Sequence, residues 1–475
     1  MGRRVMILAA GVGSGHNMAA SAVEAGLAGL EPDAEVRRLD ILETTNDVFN
    51  RLYDDAYFQL VSQAPWLIGW GYDNADPPFK LAASPLQLLE QLNTVSFVRE
   101  LREYDPDVVI CTHFLPARLV SLMLARKQLR ATLTVVTTDY DFQGLWLTAP
   151  FHHFFSAREE SRQYLITLGI PADRVTASGI PVRAGLAEPV DDASVRAEFR
   201  LRPRVPVVLI SAGAAGGTYT LQLVRQAKRM RSEFQAVVVC GRNAELKAEV
   251  EQLVEGRERD FVVLGFTDRM ADLMRVASLF VGKPGGLSSS ECMAAGLPMV
   301  IVNPIPGQEV RNADYLLEEG AAVRCNYATT VGYKIDGLLA DPERLAAMAA
   351  AARRVGRPNA GRRVAETSLA ERPDPLWISR DAQRAMLQAA EDGVAAVDVE
   401  AEQRLRTLVD PDTGASLALL TQAQLEVLGA RDWSSSVHLA LPYLNALRWQ
   451  PENFDLASAG RWLLGDRPER TLDLR

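Results

Sequence analysis

The densest run of chemistry-bearing residues in this chain is Gly282-Lys283-Pro284-Gly285-Gly286-Leu287-Ser288-Ser289-Ser290-Glu291, with Pro306-Gly307-Gln308-Glu309 shortly after it. Apolar residues 277–281 read as a strand, and Ser288 to Ser290 open a helix. The Pro-Gly-Gly turn between them lets backbone come close to a ligand. A helix N-terminus carries free N–H groups and a partial positive charge, which suits a diphosphate. Glu291, one turn into the helix, has two carboxylate oxygens to accept the hydroxyls of a ribose. Beyond the apolar run 297–302, Gln308 and Glu309 bring an amide and a carboxylate where the hydroxyls of a sugar would sit. An ordinary strand–helix–strand unit with a capped helix explains the glycines and serines, but not Gln308 and Glu309. The favoured reading is a nucleotide-sugar site.

A second constellation is Gly11-Val12-Gly13-Ser14-Gly15-His16-Asn17, between the first strand and the first helix. His16 replaces the third glycine of the dinucleotide fingerprint, and the loop lacks the Lys-Ser or Lys-Thr of a phosphate-binding P-loop. An imidazole here, with an unperturbed pKa near 6.5 and strand ends facing a cleft, can take a proton from a hydroxyl nucleophile. The bland alternative is a histidine that only contacts its loop. A related loop, Ser211-Ala212-Gly213-Ala214-Ala215-Gly216-Gly217-Thr218, offers free N–H groups for phosphate at the start of the second half. Phe266 ends another strand of that half, either stacking near a base or packing.

These residues need a scaffold, and the sequence describes one. Strand and helix signals alternate: strands over 5–10, 35–40, 108–111 and 132–137, with helices over 18–30 and 116–129. A linker over 180–192 precedes strands over 205–211, 236–240, 261–264, 277–281 and 299–302. Such alternation means α/β architecture, with parallel sheets covered by helices on both faces. Two doubly wound halves place ligands at the carboxyl ends of their strands. The expected division is 1–186, 187–372 and a 373–475 extension. Residues 45–94 break the rhythm with Tyr53, Tyr57, Trp66 and Trp70. They suit helical packing between layers or a lipid-contacting flap. The extension is acidic, reads as helices over 381–391, 400–408 and 421–428, and shows no chemistry of its own.

A net charge of −9 argues against a broad nucleic-acid surface. The four cysteines show no metal or redox spacing and read as buried thiols of a reducing compartment. No apolar run approaches the ~18 residues that span a bilayer. The expectation is a cytoplasmic protein whose membrane contact is peripheral.

Taken in order over residues 4–370, several motifs resemble the monogalactosyldiacylglycerol synthase and processive diacylglycerol glucosyltransferase family. These enzymes are relatives of the lipid-linked N-acetylglucosamine transferase of peptidoglycan synthesis. The motifs are Gly13-Ser14-Gly15-His16-Asn17, Tyr53 through Ala64-Pro65-Trp66, Thr112-His113, and Thr138-Asp139-Tyr140 with Trp146. They continue with Gly179-Ile180-Pro181-Val182, Lys283-Pro284-Gly285-Gly286 with Glu291, and Asn303-Pro304 with Pro306-Gly307-Gln308-Glu309 and Asn312.

The resemblance implies a GT-B fold with two Rossmann-like domains. It also implies inverting transfer of a hexose from a UDP-sugar to diacylglycerol at the cytoplasmic membrane face, without metal or cofactor. By resemblance, Glu291 binds the ribose, Gln308 and Glu309 bind the hexose, and Asn312 belongs to the same donor set. The loops at Gly213 and Ser288 hold the diphosphate, helped by Lys283, and His16 is the base or orients the acceptor. Asp139 is the candidate to orient the imidazole, on chemical grounds. Gln143 and His152 stand where relatives often carry His and Asp. Weighed beside this are a polyprenol-linked or other hydrophobic acceptor, a UDP-sugar epimerase that needs no lipid flap, and a binding protein without catalysis.

Overall fold

The computed structural model describes residues 2–11, 15–44, 77–79, 95–211, 218–371 and 373–392. Expectations for Gly13, Ser14, Trp66, Gly213, Ala214, most of the aromatic segment and the helices beyond residue 392 lie outside the described residues.

Twelve described strands form two six-stranded sheets. The first contains β1 (Arg4–Ala9), β2 (Glu35–Asp40), β3 (Val108–Cys111), β4 (Thr132–Val136), β5 (His153–Ser156) and β6 (Val175–Ala177), in the order β2-β1-β3-β4-β5-β6. The second contains β7 (Val207–Ser211), β8 (Gln235–Val239), β9 (Phe261–Leu264), β10 (Leu279–Gly282), β11 (Met299–Val302) and β12 (Ala322–Cys325), in the order β12-β11-β10-β7-β8-β9. Every pairing is parallel. Central strands such as Val-Val-Ile-Cys in β3 are buried throughout, as expected of strands covered on both faces. Edge strand β2 keeps its charged Glu-Val-Arg-Arg pattern at the surface.

In each sheet the strand order reverses beside the first strand, between β1 and β3 and between β10 and β7. At such a switch point the following loops run apart and leave a crevice at the carboxyl ends. Gly11 and Thr112-His113 frame the first crevice. Residues 283–286 frame the second.

Six helices matter for the site: α1 (Gly15–Ala28), α2 (Phe114–Ala125), α3 (Gly286–Ala295), α4 (Gln308–Glu318), α5 (Ala360–Ala370) and α6 (Arg380–Asp392). Although α5 follows the second sheet in the chain, it returns to the first. Gly361 lies so close to α1 that a Cβ would come 2.5 Å from Ala22 O, and a Cβ on Gly26 would meet the Gly361-Arg362 backbone at 2.9 Å. Val364 and Ala365 then enter the core of the first sheet with Val5 and Ile7.

The expected boundary at residue 372 is therefore corrected. Leu376, Ile378, Ala382 and Met386 are part of the first domain's core, and Phe151 pairs with Leu376. Buried polar bonds fasten this return: His153 Nδ1 to Glu371 Oε2 at 2.7 Å, and His152 Nε2 to Pro373 O at 3.0 Å. The apolar positions of α6 gave its helix, but no periodicity says which sheet a helix covers.

Candidate active site

The first crevice is built around His16. Asp40, at the end of β2, accepts from Gly11 N at 3.0 Å and from Asn17 Nδ2 at 2.7 Å. It thus pins both ends of the glycine loop, and Asn17 positions the loop rather than a ligand. His16 is left at the head of α1 with Nδ1 3.0 Å from Thr112 O and 2.9 Å from Thr138 Oγ1. A carbonyl only accepts, so Nδ1 carries the proton and Nε2 keeps its lone pair. Burial lowers the pKa of His16 to about 4, against opposing pulls from the Thr112 carbonyl and Asp40. A neutral imidazole whose Nε2 has no hydrogen-bond partner among the described residues is a base in its working form.

Asp139 does not orient this imidazole. Its Oδ1 accepts from Gln308 Nε2 and from Asn312 Nδ2, both of which come from α4 in the other domain. Asn312 is fully buried, and its Oδ1 accepts from Tyr140 N at 2.9 Å. Asp139, Gln308 and Asn312 therefore form an interdomain clasp. The imidazole is set by Thr112 and Thr138 instead. Neither carried a role in the sequence reading, although both stood in quoted motifs.

The second crevice brings the start of α3 against the first. A Cβ on Gly15 would lie 3.8 Å from Leu287 Cβ, so two helix N-termini meet at the same place. Gly286 serves this approach: a Cβ there would fall 1.9 Å from Thr138 O. The three serines separate by exposure. Ser288 is half-buried and can face a ligand. Ser289 is sealed with its hydroxyl unpartnered, which removes it from the expected diphosphate contacts. Ser290 donates to Tyr140 OH at 3.0 Å and ties the domains.

Glu291 is buried and paired with Arg183, from the linker after β6. Burial raises its pKa while Arg183 opposes the rise. Arg183 is a site residue that sequence reasoning missed, since nothing near it in the chain announces a carboxylate. Glu309 Oε2 accepts from Ile305 N at 2.7 Å; burial raises its pKa, with Lys283 the main opposing charge. Gly285 lies beside it, 3.8 Å from Glu309 Oε1 to a notional Cβ. Phe266 is 66% exposed, with the Arg242 guanidinium 5.0 Å from its ring centre, so it is free to receive a planar group.

Comparison with known proteins fits both crevices. The family model for monogalactosyldiacylglycerol (MGDG) synthase matches residues 16–182. The model for the glycosyltransferase family 28 C-terminal domain matches residues 207–364. A processive diacylglycerol beta-glucosyltransferase of Bacillus mycoides (strain KBAB4) is 30% identical over 273 residues, covering 57% of this chain and 69% of the relative. The chain belongs to this glycosyltransferase family. The homologue from Bacillus cereus (strain AH187) matches over the same shares of both chains, also at 30% identity.

Solved structures agree on the fold. MurG of Acinetobacter baumannii superposes with a TM-score of 0.51 at 20% identity, covering 77% of this chain and 98% of that one. A UDP-GlcNAc 2-epimerase of Neisseria meningitidis gives 0.50 at 16%, over 77% and 99%. The fold is GT-B, and the protein is a glycosyltransferase. Arg183 lies in the segment between the two family matches, so the linker arginine joins the half that carries His16 to the half that carries Glu291.

Proposed function

We propose that this glycosyltransferase moves a hexose from a UDP-sugar to the hydroxyl of diacylglycerol or a similar membrane lipid, with inversion, at the cytoplasmic membrane face. One observation carries the reading: His16, neutral and with Nε2 unprotonated, sits where the N-termini of α1 and α3 converge. In the proposed step the acceptor oxygen gives its proton to Nε2 and bonds to the anomeric carbon. The bond from that carbon to the diphosphate breaks, and UDP departs. The leaving charge meets the backbone N–H groups at the head of α3, the Ser288 hydroxyl and Lys283. Preorganised donors of this kind contribute ~3–4 kcal/mol each to the transition state.

Glu291 would take the ribose, displacing Arg183 toward the phosphates, and Phe266 would cover the base. Gln308 and Glu309 border the hexose position. Among the described residues no helix is long and apolar enough to cross a membrane, so the lipid would be met from the membrane surface. No group of three or more His, Cys, Asp or Glu side chains forms a metal site there. The relatives named above are glucosyltransferases acting on diacylglycerol, which supports that acceptor over a polyprenol.

The test uses purified protein with UDP-glucose or UDP-galactose and diacylglycerol vesicles. UDP release that His16→Ala and Glu291→Ala abolish is the expected result. Absence of UDP release with both donors and the lipid contradicts the proposal.

A further inference from the structure

His16 has a neighbour of the same residue type in the opposite tautomer. His113 is the N-cap of α2, and its Nδ1 accepts from Leu115 N at 3.1 Å. That lone pair is therefore occupied, and the ring proton sits on Nε2. His113 is 3% exposed, and among the described residues its Nε2 has no hydrogen-bond partner. The rings of His113 and His16 lie nearly perpendicular, with centroids 4.5 Å apart and an interplanar angle of 84°. Phe114 and Trp146 wall the pair, with ring centroids 4.2 and 6.2 Å from that of His113. Burial and His16 hold the His113 pKa well below the usual range, so it remains a neutral donor.

The two neighbouring imidazoles thus carry complementary groups, a lone pair on His16 Nε2 and an N–H on His113 Nε2, beside apolar rings. Their complement is a hydroxyl with an acceptor oxygen two carbons away. We propose that His113 reads the lipid acceptor: its Nε2–H donates to the ester oxygen vicinal to the hydroxyl that His16 deprotonates. The site then selects an esterified vicinal diol over a simple fatty alcohol. Backbone decides the roles, since Thr112 O demands a proton of His16 and Leu115 N–H demands a lone pair of His113. A buried donor left without a partner weakens binding of any acceptor that cannot satisfy it. This inference rests on the transfer reaction proposed above.

The capping role and the reading role can be separated. His113→Ser keeps an oxygen to cap Leu115 N–H but has no N–H to offer. His113→Asn keeps the cap and restores a donor. kcat/KM would be measured for 1,2-dioleoylglycerol and for oleyl alcohol in the same vesicles, with thermal melts of each variant. The expected result is a fall of about 10- to 100-fold in the diacylglycerol-to-alcohol selectivity ratio for His113→Ser, with partial recovery in His113→Asn. Melting temperatures should be close to wild type. Equal losses on both acceptors, or an unchanged ratio, overturn the assignment while leaving the transfer reaction standing. Wild-type protein that glycosylates neither acceptor overturns the transfer reaction, and this inference with it.

Discussion

Gly286 and Thr138 touch across the domain boundary, so closely that a Cβ on the glycine would stand 1.9 Å from the threonine carbonyl. The hydroxyl of the same threonine lies 2.9 Å from His16 Nδ1. One residue therefore sets the imidazole and the distance between the two helix N-termini. Gly286→Ala must part the domains. A displacement near 1 Å costs on the order of 100-fold in rate. Steady-state kinetics should show that loss in kcat/KM, and a fully active Gly286→Ala variant would refute the contact.

Asp139 holds the domains together and does not tune the base. Asp139→Ala leaves the Gln308 and Asn312 amides without their acceptor, at a cost of about 1–3 kcal/mol in stability. Denaturant unfolding should register that loss. Imidazole signals of His16 followed by NMR should titrate as in the wild type, because the charge acting on it is Asp40.

The pH dependence follows from three depressed histidines, His16, His113 and His152. His16 and His152 both have folded pKa values of about 4, below the usual 6.5, chiefly through burial. Between these values the unfolded chain binds protons that the folded chain does not, so stability falls as the pH drops from 6.5 toward 4. Nitrogen-detected spectra should show His16 still neutral at pH 5.5. A midpoint near 6.5 would contradict the buried, hydrogen-bonded geometry.

Much of this was legible from residue order alone. Continuous apolar runs located β3, β9 and β11 at their observed bounds. β5, β6 and β12 escaped because they are short and carry His, Thr and Arg among few apolar residues. The individual site residues were readable, but their partners were not. Asp139 meets Gln308 and Asn312 from more than 160 positions away, and Arg183 reaches Glu291 across 108. Local spacing holds no information about such pairs. The return of α5 and α6 to the first sheet was hidden for the same reason.

Arg183 and Glu291 give a further test. Glu291 is 3% exposed and Arg183 25%, so Arg183→Ala strands a buried carboxylate. The partly exposed arginine limits the loss to on the order of 2 kcal/mol, below the full cost of breaking a buried pair. Adding Glu291→Gln to the same chain should recover most of it in thermal melts. A double variant no more stable than Arg183→Ala would show that the pair does not carry the linker's attachment.

Lipid composition provides the decisive measurement. Wild-type and His16→Ala chains would be expressed at equal levels in a host that makes no glycolipids, and the lipids analysed by mass spectrometry. The account predicts hexosylated diacylglycerol from the wild type and none from the variant. Hexosylated lipid at equal amounts from both would contradict the assignment of His16 as the base.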